Sequence, residues 1–155
     1  MSRDRPNLDS MFAPESIAVI GASETLASVG RAITENAKSF NGRVFLVNPS
    51  HQTVLGQKAF SKIGELPEGI DLAVIATPAA TVPGIAAECA AAGVSGAVII
   101  SAGFKECGSA GAELEKQILE RRGKMRIIAE MIDQIAPVHI RHGTDGNKRA
   151  EPELC

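Results

Sequence analysis

The chain has 155 residues, of which 45% are hydrophobic and 22% charged, with a formal net charge of −2 and no Trp or Tyr. This length suits one domain that can form a core without disulfides or metals. The near-neutral charge gives no electrostatic footprint for nucleic acid, and five Phe make a poor base-stacking platform, so no nucleic-acid partner is expected. The apolar runs fall far short of the roughly 20 residues that span a bilayer, so no membrane contact is expected either.

The cysteines indicate a reducing compartment. Cys89, Cys107 and Cys155 form no CxxC motif, and an odd number at wide spacing argues against a disulfide framework. The N-terminal residues lack the apolar segment of a secretory signal peptide. Both features predict a cytoplasmic protein.

Short β-branched runs along the chain alternate with Ala-rich stretches. The run Ser16–Gly21 is apolar from Ile17 onward and ends in Gly, which is typical of a strand buried on both faces of a parallel sheet. Similar runs predict four more strands, at Arg43–Asn48, Asp71–Ala76, Gly96–Ile100 and Arg126–Ile128.

Three helices are predicted between these strands. The first carries an apolar stripe and ends at Asn41-Gly42; the stripe consists of Val29, Ile33, Ala37 and Phe40. The second runs from Thr81 to Ala92 and the third from Ala110 to Arg122. Their predicted inward-facing residues are Val82, Ile85 and Cys89 in the second helix, and Leu114 and Ile118 in the third.

This alternation predicts the fold class α/β, as a Rossmann-like, doubly wound parallel sheet in a single domain. We assign residues 1–10 to a lead-in and residues 11–128 to the domain. Residues 49–70 are interpreted as irregular, with one helical turn at most. Residues 129–155 are interpreted as a divergent, partly disordered tail, in which Met131, Ile132 and Ile135 allow a short helix.

Ligands of such sheets bind beyond the carboxyl ends of the strands, where the strand order reverses. Gly21-Ala22-Ser23 follows the first strand, and Gly30-Arg31 lies at the start of the first helix. This arrangement lets backbone N–H groups face a phosphate at a helix N-terminus, with Arg31 as a charge-assisted contact. A tight turn without a ligand is the alternative.

The obvious ligand, NAD, fits this loop poorly. The spacing from Gly21 to Gly30 is not G-x-G-x-x-G, and no acid follows the second strand to bind ribose hydroxyls. The sequence there is Val47-Asn48-Pro49-Ser50, which suits adenine or a phosphorylated ribose better than a free diol.

The third and fourth strands also end in small and polar residues. Thr77-Pro78-Ala79 follows the third strand, and Ser101-Ala102-Gly103-Phe104 follows the fourth. Proline stiffens the first of these turns, the two hydroxyls lie at the same edge, and the small residues leave room for an extended ligand. If each motif is taken alone, the alternative is an ordinary strand-to-helix turn that binds no ligand.

Together the four motifs resemble those of the CoA-binding domain of NDP-forming acyl-CoA synthetases. That superfamily includes the succinyl-CoA synthetase α subunit and the CoA-binding-like domain of related bacterial protein acetyltransferases. The resemblance covers about residues 8–128. It implies binding of coenzyme A or acyl-CoA by Gly21, Ala22, Ser23, Gly30, Arg31, Val47, Asn48, Pro49, Ser50, Thr77, Pro78, Ala79, Ser101, Ala102, Gly103 and Phe104.

The sequence departs from this family at two places. Many members carry a basic residue just after the Asn-Pro, where it can meet the ribose 3′-phosphate, whereas this chain has Ser50-His51, with His51 and Lys58 as weak substitutes. The Gly-Pro-Asn-Cys-Leu-Gly stretch after the family's fifth strand is replaced from Ala129 onward. The family's phosphorylated histidine lies beyond that point, so neither His139 nor His142 takes its role, and no metal site is predicted for this pair.

The resemblance implies a domain that holds CoA for attack on an acyl phosphate supplied by other domains, in an acyl-CoA synthetase or a related acyltransferase. The chain is then not active alone, has no catalytic residues of its own, and works with a grasp-type synthetase subunit or domain. Two alternatives stay open: a non-catalytic module that binds NAD or AMP, and a structural subunit of a synthetase complex.

Overall fold

The computed structural model describes residues 9–67, 69–101, 104 and 108–129. Its strands are β1 (Ser16–Ile20), β2 (Arg43–Val47), β3 (Thr53–Val54), β4 (Gln57–Phe60), β5 (Leu72–Ile75), β6 (Gly96–Ile99) and β7 (Arg126–Ala129). Its helices are α1 (Asp9–Phe12), α2 (Val29–Ala37), α3 (Val82–Ala91) and α4 (Ser109–Arg121), with 3₁₀ turns at Ile63–Glu65 and Ala79–Thr81.

The strands form one sheet in the order β3-β4-β2-β1-β5-β6-β7. All neighbouring pairs are parallel except β3 and β4. From β1 the chain first adds strands on one side and then, from β5 onward, on the other. The strand order therefore reverses between β1 and β5, and the predicted doubly wound α/β fold is confirmed.

The core occupies both faces of the sheet, and β1 is therefore buried along its whole length. Ala18 and Ile20 face the layer that contains α3 and α4, whereas Ile17 and Val19 face the layer that contains α2. Helices on both faces explain why the sequence of β1 is continuously apolar rather than alternating.

A polar cluster joins the amino ends of β1 and β5. Ser16 is fully buried, and Asp71 Oδ2 accepts hydrogen bonds from its backbone N–H and its hydroxyl, each at 3.1 Å. The Asp71 N–H donates back to Ser16 Oγ at 3.1 Å, and the Glu15 N–H adds a third donor to the carboxylate at 3.0 Å. The cluster fixes the register of the two central strands.

The interpretation of residues 49–70 as irregular was wrong. β3 and β4 form an antiparallel hairpin, and β4 also pairs in parallel with β2. The hairpin turn places Leu55 at φ 49° and Gly56 at φ 77°. Such turns usually carry Asn-Gly or Asp-Gly. Here leucine, which rarely adopts a positive φ, stands before the glycine, so the sequence lacks the usual signal for this turn.

The first helix is also shorter than predicted. α2 ends at Ala37 rather than near Asn41, and turns carry the chain on to Phe40. Val29 was expected on the inner stripe but is 47% exposed, because it stands at the first position of the helix beside the loop from β1. The other two helices match their predicted bounds to within one residue.

The predictions made for the two ends of the chain fall mostly outside the described residues. Within the described residues, no helix combines the length and the apolar character needed to cross a membrane. The predicted helix around Met131 and the tail beyond Ala129 lie outside the described residues. The domain boundaries at residues 10 and 128 stay predictions.

Candidate functional site

A cleft of about 1320 Å³ opens at the carboxyl ends of the parallel strands. Gly21 after β1 and Thr77 after β5 line it where the strand order reverses, and Val47 and Pro49 line it at the end of β2. Typical small-molecule pockets measure roughly 300–1,000 Å³, so this cleft has room for an extended ligand.

The structure brings five predicted site residues into the lining of this cleft: Gly21, Val47, Pro49, Thr77 and Pro78. Nine other predicted residues do not line the cleft: Ala22, Ser23, Gly30, Arg31, Asn48, Ser50, Ala79, Ser101 and Phe104. Ala102 and Gly103 lie outside the described residues.

Gly21 permits the close contact between the ends of β1 and β5. Its φ is +90°, and a Cβ at this position would lie 2.5 Å from the Ala76 carbonyl oxygen and 2.9 Å from Thr77 Cγ2. The Gly21 N–H donates to the Val47 carbonyl at 3.2 Å, so this particular amide is already used. Only glycine satisfies both the backbone conformation and the spacing.

The amino end of α2 packs directly on this loop. A Cβ on Gly30 would overlap the Gly21 carbonyl oxygen. Ser28 caps the helix, with its hydroxyl accepting from the Arg31 N–H at 3.1 Å, and the Thr34 hydroxyl donates to the Gly30 carbonyl at 2.6 Å. The positive end of the α2 dipole is thereby fixed at the carboxyl edge of β1.

The partly exposed Arg31 side chain holds the loop between β1 and α2. Its Nε donates to Glu35 at 2.9 Å, and its guanidinium also donates to the Glu24 carbonyl at 2.7 Å. The Glu24 carboxylate in turn accepts from the Leu55 N–H at 2.5 Å, which ties the loop to the β3–β4 hairpin. In this arrangement the guanidinium serves the loop rather than the cleft.

Asn48 connects two strand-end loops. Its side-chain amide donates to the Ala22 carbonyl at 2.8 Å. Its Oδ1 accepts from the N–H groups of Ser50 at 2.7 Å and His51 at 2.9 Å. Asn48 thus occupies the place where an NAD site needs a carboxylate, and both ends of its side chain are used for structure.

Hydroxyl groups fix the turns after β5 and β6. The Ser101 hydroxyl donates to the Thr77 carbonyl at 2.5 Å and joins the two turns. The Thr81 hydroxyl lies 2.9 Å from Thr77 Oγ1 and 2.6 Å from the Pro78 carbonyl, where α3 begins. Phe104 does not reach the cleft, because it is buried in the core at 6% exposure, against Gly111 of α4.

The sequence interpretation missed one wall of the cleft. The segment Ser61–Leu66 after β4 and the α3 residues Ile85, Glu88 and Ala91 line it together with Ala92 and Gly93. The segment was missed because β4 itself was missed. Apolar residues on α3 were assigned to the core, although Ile85 lies at the boundary between core and cleft.

Three charged residues line the cleft within the described part of the chain: Lys62, Glu65 and Glu88. The pKa of Glu65 is lowered because the Ser61 hydroxyl and the Ser61 N–H donate to its carboxylate, at 2.9 and 3.1 Å. No group of three His, Cys, Asp or Glu side chains suited to a metal occurs among the described residues.

Comparisons with known proteins agree with this geometry. Residues 15–144 match the CoA binding domain family. The chain belongs to this family. The match extends past residue 128, where the resemblance in motifs ends, into residues that the structure does not describe.

Relatives of this CoA-binding domain are parts of larger ADP-forming ligases. The chain is 45% identical over 117 residues to the ADP-forming acetate–CoA ligase II of Archaeoglobus fulgidus, a match that covers 74% of the chain and 17% of that protein. It is 42% identical over 124 residues to the α subunit of the corresponding ligase II of Pyrococcus furiosus, covering 78% of the chain and 27% of the subunit.

A solved structure shows the same domain. The apo form of acetyl-coenzyme A synthetase 1 from Ca. Korarchaeum cryptofilum superposes with a TM-score of 0.72 at 36% identity, covering 79% of this chain and 27% of that one. The chain therefore spans less than a third of the length of these relatives.

Proposed function

We propose that this domain binds coenzyme A in the cleft at the carboxyl edge of the sheet. The observation that carries the proposal is the junction of β1, α2 and β5. Gly21 and Gly30 are packed so closely that a Cβ on either would meet backbone oxygen. This packing sets the N-terminus of α2 against the glycine loop, and Gly21 of that loop lines the extended cleft, an arrangement that suits a pyrophosphate with a long attached chain.

The same cleft provides surfaces for the rest of the ligand. Val47 and Pro49 form an apolar wall suited to adenine, and Thr77 and Pro78 lie along the path toward β6. The missing carboxylate after β2, with Asn48 held by Ala22, disfavours a free ribose diol and therefore NAD.

In the complete enzyme, the proposed role is to present the CoA thiol to an acyl phosphate. The thiol sulfur attacks the acyl carbon and forms the carbon–sulfur bond, the carbon–oxygen bond breaks, and the thiol proton ends on the departing inorganic phosphate. Another domain or a grasp-type subunit has to supply the acyl phosphate. An ADP-forming acyl-CoA ligase is favoured over an acetyltransferase because the relatives described above are ligases.

Isothermal titration calorimetry of the 155-residue chain with CoA and with NAD tests this proposal. We expect CoA to bind at one site and NAD to give no heat. Pro49 is exposed and lines the cleft, so a tryptophan at this position would fill part of the cleft. Pro49→Trp should therefore weaken CoA binding by about tenfold or more. Pro67→Trp is the matched control, because Pro67 is exposed but does not line the cleft.

Binding of NAD alone, or CoA binding that Pro49→Trp leaves unchanged, would contradict the proposal. Circular dichroism of each variant confirms that the chain is folded before titration.

A further inference from the structure

Lys62 lies at the same edge of the sheet as the turn that follows β2. β4 runs parallel to β2, with Phe60 paired to Val47, and the Asn48 N–H donates to the Phe60 carbonyl at 2.9 Å. Ser61 and Lys62 leave the carboxyl end of β4 beside Pro49, and both Pro49 and Lys62 line the cleft.

Lys62 is the cation that this part of the structure leaves available. Arg31 is held by Glu35 and the Glu24 carbonyl, and the Lys58 ammonium lies over the Phe60 ring, 5.0 Å from its centroid. Within the described ranges Lys62 forms no ion pair, and it is the positively charged residue of the cleft lining.

Of the nearby carboxylates, Glu65 interacts electrostatically with Lys62, which helps to lower the pKa of Glu65, but the two form no ion pair within the described residues. Glu65 is three residues further along the same turn, and its oxygens accept from the Ser61 hydroxyl and N–H. Glu88 lies on α3, a different element of the cleft lining. Lys62 is exposed, so its ammonium is free to turn toward an anion.

We propose that Lys62 binds the 3′-phosphate of CoA and makes the domain prefer CoA to dephospho-CoA; this inference rests on the proposed function. CoA carries a pyrophosphate and, separately, a phosphate monoester. The glycine loop after β1 serves the first group. β4 lies two strands from β1, about 10 Å across the sheet, so Lys62 serves the second.

The chemistry of the two turns explains why the charge comes from β4. Pro49 is followed by Ser50, which offers a hydroxyl and no charge, and its N–H is already donated to Asn48. An ammonium group attracts a phosphate dianion as a point charge from any direction within reach of its flexible stem. The lysine at the neighbouring strand end therefore supplies the positive charge that the turn after β2 lacks.

Calorimetric titration of the full chain with CoA and with dephospho-CoA tests this inference. We expect the wild-type chain to bind CoA more tightly than dephospho-CoA. Lys62→Gln should weaken CoA binding by about fivefold and leave dephospho-CoA binding unchanged, so that the preference disappears. Lys38→Gln is the matched control, since this lysine is exposed, directly follows α2 and does not line the cleft; it should keep the preference.

The possible failures are distinguishable. If neither compound binds the folded wild-type chain, the proposed function falls and this inference falls with it. If CoA binds but the wild type shows no preference, or Lys62→Gln keeps the preference or weakens both ligands equally, the proposed function stands and the role of Lys62 is overturned.

Discussion

The side-chain amide of Asn48 donates a hydrogen bond to the carbonyl of Ala22, with 2.8 Å between Nδ2 and the oxygen. The two residues are far apart in the chain, but Ala22 lies two residues after β1 and Asn48 directly follows β2, and these two strands are paired. Because Asn48 Oδ1 also accepts from the Ser50 and His51 N–H groups, one side chain holds two loops of the site in a fixed relationship.

Asn48→Asp should separate the donor contact of this side chain from its acceptor contacts. The carboxylate keeps an acceptor for the Ser50 N–H but loses the donor to Ala22 and places negative charge against a carbonyl oxygen. We expect a loss of about 1–2 kcal/mol in the free energy of unfolding, together with weaker CoA binding. Urea denaturation measures the first effect. Wild-type stability in Asn48→Asp would show that the Ala22 contact contributes nothing.

Gly21→Ala should be more damaging than an equivalent change at another left-handed glycine. Gly21 and Gly56 have φ values of +90° and +77°, so alanine costs about 1–2 kcal/mol in backbone strain at either. At Gly21 the new methyl group also meets the Ala76 carbonyl, whereas nothing lies within 4 Å at Gly56. Thermal denaturation of both variants measures the difference, and equal destabilisation would exclude the steric contribution.

The central strands and helices could be predicted because their signals are local. The apolar run from Ser16 to Gly21 and the glycines after α3 and α4 mark elements whose burial and termination depend on nearby residues. The hairpin of β3 and β4 could not be predicted in this way. Its turn places Leu55 at positive φ, and β4 is a strand mainly because it pairs with β2, a contact that lies outside any local window.

The residues of the candidate site show the same difference between local signals and long-range contacts. Gly21, Pro49 and Thr77 were predicted to lie together because parallel strands end at one edge, and all three line the cleft. Lys62 was overlooked because it follows the unpredicted strand β4. Arg31 was expected at a phosphate, but sequence alone does not reveal that Glu35, one helical turn later, and the Glu24 carbonyl engage its guanidinium.

The cluster of Ser16 and Asp71 should contribute to stability as a unit. Asp71→Asn removes a charged acceptor from three donors at the amino ends of β1 and β5, and should cost about 1–3 kcal/mol. Ser16→Ala should cost a similar amount. The double variant should lose less than the sum of the two, because both substitutions break the same contacts. Additive losses in urea denaturation would mean that the two side chains act independently.

Cys89 should be unreactive in the folded chain. Burial raises the pKa of its thiol from 9.0 to about 12, with a further contribution from the neighbouring Glu88 charge. The thiolate fraction near neutral pH is therefore about 1,000-fold lower than for an ordinary thiol. In a Cys107→Ser, Cys155→Ser background, a thiol reagent should react with Cys89 only after unfolding. Rapid reaction in native buffer would contradict this.

The raised pKa of the Cys89 thiol also predicts how the free energy of unfolding depends on pH. Above pH 9 the unfolded thiol loses its proton while the folded one keeps it, so ionisation favours the unfolded state. The contribution of Cys89 is complete below pH 9 and is lost as pH rises toward 12, at up to about 1.4 kcal/mol per pH unit. Replacing Cys89 by Ala in the same background removes this contribution, so urea midpoints between pH 8 and 10.5 should fall less steeply than in the parent. Parallel pH profiles for the two chains would show that the Cys89 thiol does not carry this dependence.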